Sequence, residues 1–176
     1  MFNSLSTSLK PLALVAALAV AGVSEAGERP LPPNHIEGVR IDLHADLGGY
    51  GSFGMGFRLD IPVVPGGLIN GVEDELAISP GLDVFFQNFY PHYYDGGPYF
   101  IPGVVMQWNF YLGQHWSVFP EAGIAFYAGN RYELRRNTAF YPVANFGVGA
   151  RYHINPRVAL LLRVSTPTGL QFGVTF

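Results

Sequence analysis

Asp42, His44 and Asp46 recur at every second position of the stretch Val39–Gly48. A strand sends alternate side chains to opposite faces, so two carboxylates and an imidazole would point the same way. Such groups can ligate a metal or move protons as general acids and bases. Ser52 follows, and a serine within reach of His44 would suggest a nucleophile and its base, as in a lipid-modifying hydrolase. Gly49-Tyr50-Gly51-Ser52-Phe53-Gly54 repeats the glycine spacing of dinucleotide-binding loops. Each of these chemistries depends on the element that carries it.

The elements are strands. A dinucleotide loop needs a helix N-terminus behind it to face the phosphates. Here Phe53, Met55, Phe57, Leu59, Ile61 and Val63 follow at period two, so the glycines read as a tight strand–turn–strand and no cofactor is expected. Runs of the same kind cover about 39–48, 52–63, 76–87, 99–112, 116–127 and 141–154, and two more lie in Arg157–Phe176, split by Thr166-Pro167-Thr168. No stretch after the N-terminal leader has a helical period. Eight consecutive strands joined by turn signals make an all-β, antiparallel, up-and-down meander. Strands of about ten residues in an even number suit a closed eight-stranded transmembrane β-barrel.

The charges decide which face is which. Arg40, Asp42, His44, Asp46, Arg58, Asp60, Asp83, Glu121, Arg151, His153 and Arg163 all fall on one parity, together with many glycines. A lipocalin-like soluble carrier would turn this face to water, but a solvated surface is rich in Lys and Glu, and this face is not. An Arg or Lys in lipid near the midplane costs about 2–4 kcal/mol. The apolar parity therefore belongs in lipid, and the eleven ionisable residues form a paired network in the lumen. Arg163 is expected to pair with Asp42 or Asp83. On this reading Asp42, His44 and Asp46 are network members, and no catalytic, cofactor-binding or metal-ligating residue is expected. His44 points into the lumen and not toward lipid, which disfavours the hydrolase.

Composition agrees. Only 13% of the 176 residues are charged, 15% are aromatic, and the net charge is −3. A soluble domain carries about 25% charged residues, and nothing here would attract nucleic acid. With no cysteine, disulfides and thiolate sites are excluded. Residues 1–26 read as a secretory signal peptide: Lys10, an apolar run, then Ser24-Glu25-Ala26. Residues 27–37, with Pro30, Pro32 and Pro33, read as an extended periplasmic lead-in outside any core, and 38–176 as the barrel.

With a periplasmic N-terminus, the turns at 113–115 and 155–156 and the longer segment 64–75 face the periplasm. The long segments 88–98 and 128–139 then face outside. There Tyr93 and Tyr94, and Arg131, Arg135 and Arg136, are candidates for contact with partners or with lipopolysaccharide phosphates. Phe53, Phe100 and Phe126 would form an outer aromatic girdle, and Trp108, Phe110, Trp116, Tyr152 and Phe176 an inner one. Pro80, Pro102, Pro120 and Pro142 lie on the lipid parity, where bulges are expected.

These features resemble the small eight-stranded outer-membrane barrels of the OmpA transmembrane-domain and OmpX type. The terminal Phe176 is similar to the C-terminal signal read by the barrel-assembly machinery. The resemblance implies a monomer in the outer membrane of a Gram-negative-type bacterium, among lipid and lipopolysaccharide, with a structural or interaction role carried by external loops. A narrow, porin-like channel for small solutes is the alternative. The strand of Gly169–Phe176 should close the barrel on 39–48.

Overall fold

The computed structural model describes residues 34–48, 52–88, 98–129 and 140–176. They form eight strands: β1 (Arg40–Leu47), β2 (Ser52–Val64), β3 (Asp74–Asn88), β4 (Tyr99–Leu112), β5 (Trp116–Gly129), β6 (Phe140–Asn155), β7 (Val158–Ser165) and β8 (Gly169–Thr175). Each pairs antiparallel with the next, and β8 returns to β1, closing the barrel. At the seam Leu43 lies opposite Val174 and Ala45 opposite Phe172. Ile41 and Phe176 exchange both backbone hydrogen bonds at 2.9 Å. Closure is what such strands require, because an open edge would leave a row of N–H and C=O groups in lipid.

Alternation sets the two faces. In β7, Leu160, Leu162 and Val164 are exposed, whereas Leu161 and Arg163 are buried. The same holds for Ile41 and Leu43 of β1, Met55 and Phe57 of β2, and Phe146 and Val148 of β6. An exposed apolar surface this continuous belongs to a membrane protein. Among the described residues no helix is long and apolar enough to cross a membrane; the crossing is made by strands. Aromatic side chains gather at both ends. Trp108 packs on Phe110 at 4.8 Å and Trp116 on Tyr152 at 5.1 Å at the end where β1 begins and β8 finishes, and Phe53 meets Phe86 at 5.6 Å at the other.

The prolines behave differently from expectation. The register shifts lie at Ser52/Gly54, Pro62/Val64 and His153/Asn155, not at Pro80, Pro102, Pro120 or Pro142. A strand N–H points toward only one neighbour, so a proline disturbs one ladder and spares the other. Pro80 keeps its pairing with β4, while pairing with β2 skips from Arg58↔Gly81 to Ile61↔Ile78 in unchanged register. Pro102 and Pro120 interrupt the β4–β5 ladder in the same way. Pro142 lies beyond the reach of β7, whose ladder with β6 stops at Gly147↔Ser165. Its missing donor therefore breaks no pairing.

The lead-in also departs from expectation at its end. His35 and Ile36 are buried in the barrel mouth: the His35 ring lies 4.7 Å from Tyr111 and 4.3 Å from His153. The apolar and aromatic character of these residues is matched by the mouth they enter, so they pack as part of the core there. The long connection 65–73 is organised by Asp74. Its carboxylate accepts hydrogen bonds from Leu68 N at 2.9 Å, Ile69 N at 3.4 Å and Trp108 Nε1 at 2.7 Å.

Candidate functional site

Among the described residues, the lumen is where ionisable side chains are concentrated. All eleven ionisable residues expected there are buried: Arg40, Asp42, His44, Asp46, Arg58, Asp60, Asp83, Glu121, Arg151, His153 and Arg163 are each at most 5% exposed. Strand alternation carries each of them inward, and barrel closure then brings opposite walls together.

Arg151 stands at the centre. It donates to Asp42 Oδ2 at 3.0 Å, to Asn109 Oδ1 at 2.9 Å, to Gln107 Oε1 at 3.1 Å and to Asp60. Arg163 donates to the same Asp42 oxygen at 2.7 Å, and its Nε lies 3.3 Å from Glu121 Oε2. Arg58 reaches both Glu121 oxygens at 3.0 Å. Arg40 donates to Glu75 Oε1 at 2.5 Å and to the Tyr111 hydroxyl at 3.2 Å. Phe119 supports this layer, with the Arg151 guanidinium 4.4 Å and that of Arg163 5.4 Å from its ring centre. Cations over an aromatic face are stabilised by the ring quadrupole. Gly149 makes room for that ring, since a Cβ there would lie 2.3 Å from Phe119 Cζ.

Asp42, His44 and Asp46 do not act as one group. Asp42 joins Arg151 and Arg163, and Thr175 donates to its other oxygen at 2.5 Å. His44 Nε2 lies 2.7 Å from Asp83 Oδ1, and Gln171 Nε2 donates to Asp46 at 2.6 Å and to Asp83 at 3.2 Å. His153 faces Ser117 Oγ at 2.9 Å, near the mouth that His35 enters. Ser52 belongs to the opposite end: its carbonyl accepts from Gly48 N, and its hydroxyl lies 3.5 Å from Tyr99 OH. The strand Ser52–Val64 follows the glycine loop where a dinucleotide site would need a helix.

Toward the end where β3 leads to β4 and β5 to β6 the lumen changes character. Phe85, Ile101, Ala125 and Tyr127 pack together inside it, backed by Tyr99, Tyr141 and Val143. Phe85 and Tyr99 stack at 5.0 Å. The lumen is thus polar through most of its height and apolar near that end.

Glu75, Gln107, Asn109, Tyr111, Gln171 and Thr175 complete the network and were absent from the eleven. Glu75 escapes a sequence reading that ends the preceding connection at residue 75. The inward parity of Ala77 and Ser79, extended back by one step, would have included it. The others are uncharged or weakly ionisable, so a search for charge passes over them. The loop candidates Tyr93, Tyr94, Arg131, Arg135 and Arg136 lie outside the described residues, as does the signal peptide.

The closed count of eight strands, with charge inside and apolar side chains outside, decides the architecture. The fold is that of a small eight-stranded transmembrane β-barrel. It is similar to a de novo designed transmembrane β-barrel, with a TM-score of 0.51 at 11% identity over 85% of this chain and 98% of that one. Two structures of the Yersinia pestis outer-membrane protein Ail also resemble it. One, in a phospholipid bilayer nanodisc, has a TM-score of 0.47 at 10% identity over 80% of this chain and 99% of that one. The other, a crystal structure of this attachment invasion locus protein, has 0.42 at 12% identity over 78% and 96%. No protein-family profile and no curated protein sequence matches the chain.

Proposed function

We propose that this barrel resides in a bacterial outer membrane as a closed, non-conducting and non-catalytic protein whose external loops meet partners or lipopolysaccharide. The observation that supports the reading is the lumen, which is occupied by buried ion pairs and by the apolar cluster of Phe85, Ile101, Ala125 and Tyr127. An eight-stranded interior is only wide enough for side chains. The cavity walled by Arg58, Ser79, Asp83 and Asn145 has about 10 Å³ of space for a water centre, roughly one water molecule. Absence of catalysis is supported by His44 being engaged with Asp83 inside the barrel, out of contact with lipid. Loop length supports the orientation, with the turns 113–115 and 155–156 and the His35 mouth periplasmic.

Two measurements on one preparation test this. Outer-membrane fractions should contain a band whose gel migration changes on heating, as folded barrels do. The purified protein in planar bilayers should give no reproducible ion conductance. Recovery in the detergent-free periplasmic fraction would sink the membrane reading. Discrete, reproducible conductance would replace the sealed barrel by the narrow channel.

A further inference from the structure

The four lumen arginines are matched by four carboxylates. Arg40 takes Glu75, Arg58 takes Glu121, and Arg151 and Arg163 share Asp42, Asp60 and Glu121. Six carboxylates face the lumen, however. The two left over are Asp46 and Asp83, and they stand together with His44: one ligand atom from each of the three lies within 4.8 Å of the others. Two uncompensated carboxylates side by side in a closed interior are unfavourable unless a positive charge joins them. Gln171 bridges them with a neutral amide, which supplies hydrogen bonds and no charge.

We propose that His44, Asp46 and Asp83 bind one first-row divalent transition-metal ion inside the barrel. With a neutral imidazole and two carboxylates, a dication brings the lumen to neutrality. One nitrogen and two oxygens form a donor set suited to Zn(II), Mn(II) or Co(II); Mg(II) and Ca(II) favour all-oxygen sites. Ligand bonds of about 2.0–2.2 Å hold neighbouring donors about 3 Å apart. The His44–Asp46 separation is 3.7 Å, the His44–Asp83 separation 2.7 Å, and all three ligand atoms lie within 4.8 Å of one another, so small side-chain shifts around the ion are required.

Three further features point to a ligand. Asp46 Oδ2 is fully buried and has no hydrogen-bond partner among the described residues. The backbone of Gly56 leaves space beside two of the donors: a Cβ there would lie 2.3 Å from Asp83 Oδ1 and 2.6 Å from His44 Nε2. Asp83 also walls the small cavity, where buried Ser79 Oγ and Asn145 Oδ1 likewise have no partner among the described residues. A metal with three protein ligands keeps an open position for water, and this cavity offers water both room and hydrogen-bonding groups.

Co(II) is the probe. The full protein is folded in detergent with Co(II), desalted, and read by visible absorption and by metal content per barrel. About one equivalent should be retained. His44→Gln and Asp83→Asn should each lower retention more than tenfold. Gly56→Ala should do the same while keeping all three ligands. His115→Gln, a histidine on the β4–β5 turn, should retain the ion. Heat-dependent gel migration reports whether each variant has folded. If the site variants do not fold, electron spin-echo modulation of Cu(II) bound to the unaltered protein should show one coupled imidazole nitrogen. A wild-type barrel that retains less than a tenth of an equivalent overturns the proposal, and balance by two protons would give that result. Retention that survives His44→Gln, or a Cu(II) spectrum with no imidazole nitrogen or two, overturns it as well.

Discussion

Arg163 and Asp42 are separated by 121 residues of sequence and by 2.7 Å in the lumen. Arg163 enters from β7 and Asp42 from β1, with β8 between them, so their pairing exists only in the closed barrel. Because Asp42 also serves Arg151, one carboxylate holds two cations at the seam.

Asp42→Asn should therefore cost about 1–3 kcal/mol, the range for a buried charge-assisted hydrogen bond lost while each guanidinium keeps a second carboxylate. Both guanidiniums lose a charged acceptor, although Asp60 and Gln107 still bond Arg151, and Glu121 and Gln171 stay beside Arg163 at 3.3 Å. Urea unfolding in lipid vesicles measures it. A loss below about 1 kcal/mol would place these pairs among solvated ones.

The outward parity makes a separate prediction. Val148 lies near the middle of the sixteen-residue β6 and is 62% exposed. Val148→Arg should destabilise the folded barrel in bilayers by about 2–4 kcal/mol, while Thr166→Arg near the rim should cost about 0–1 kcal/mol. Equal costs at the two sites would contradict a lipid-facing wall.

Gly149 and Phe119 should behave as a coupled pair. A methyl at 149 would meet the ring, so Gly149→Ala should cost about 1–3 kcal/mol by overpacking. Shrinking the ring with Phe119→Leu in the same chain should recover part of that loss. Strict additivity of the two changes in a double-mutant cycle would show that the ring is elsewhere.

Closure can be tested covalently, because the chain has no cysteine of its own. Leu43 and Val174 are opposed across β1 and β8, where directly paired Cα atoms lie about 4.5–5.5 Å apart, within disulfide range. Leu43→Cys with Val174→Cys should cross-link on mild oxidation of the folded protein. Leu43→Cys with Phe172→Cys, displaced along the strand, should react far less. The reverse preference would reject this register.

Most of the architecture is legible without coordinates because strand periodicity is local. The segregation of Arg40, Asp42, His44, Asp46, Arg58, Asp60, Asp83, Glu121, Arg151, His153 and Arg163 onto one parity needs only the rule that side chains alternate. The boundaries of β4, Tyr99–Leu112, follow from the same rule and the turn residues around it. Bulge positions were less legible. A proline announces a missing donor but not which ladder loses it, and that depends on the neighbouring strand.

By itself, the sequence determined which side chains point in and which point out, because that choice is made one residue at a time by the pleat. Only the tertiary structure decided which inward groups meet. Stagger and closure place Arg40 against Glu75, Arg163 against Asp42, and His44 with Asp83, across separations of 35, 121 and 39 residues. They also leave Asp46 and Asp83 without an arginine of their own. No local pattern encodes those distances, since each is set by the sum of every strand's register around the barrel.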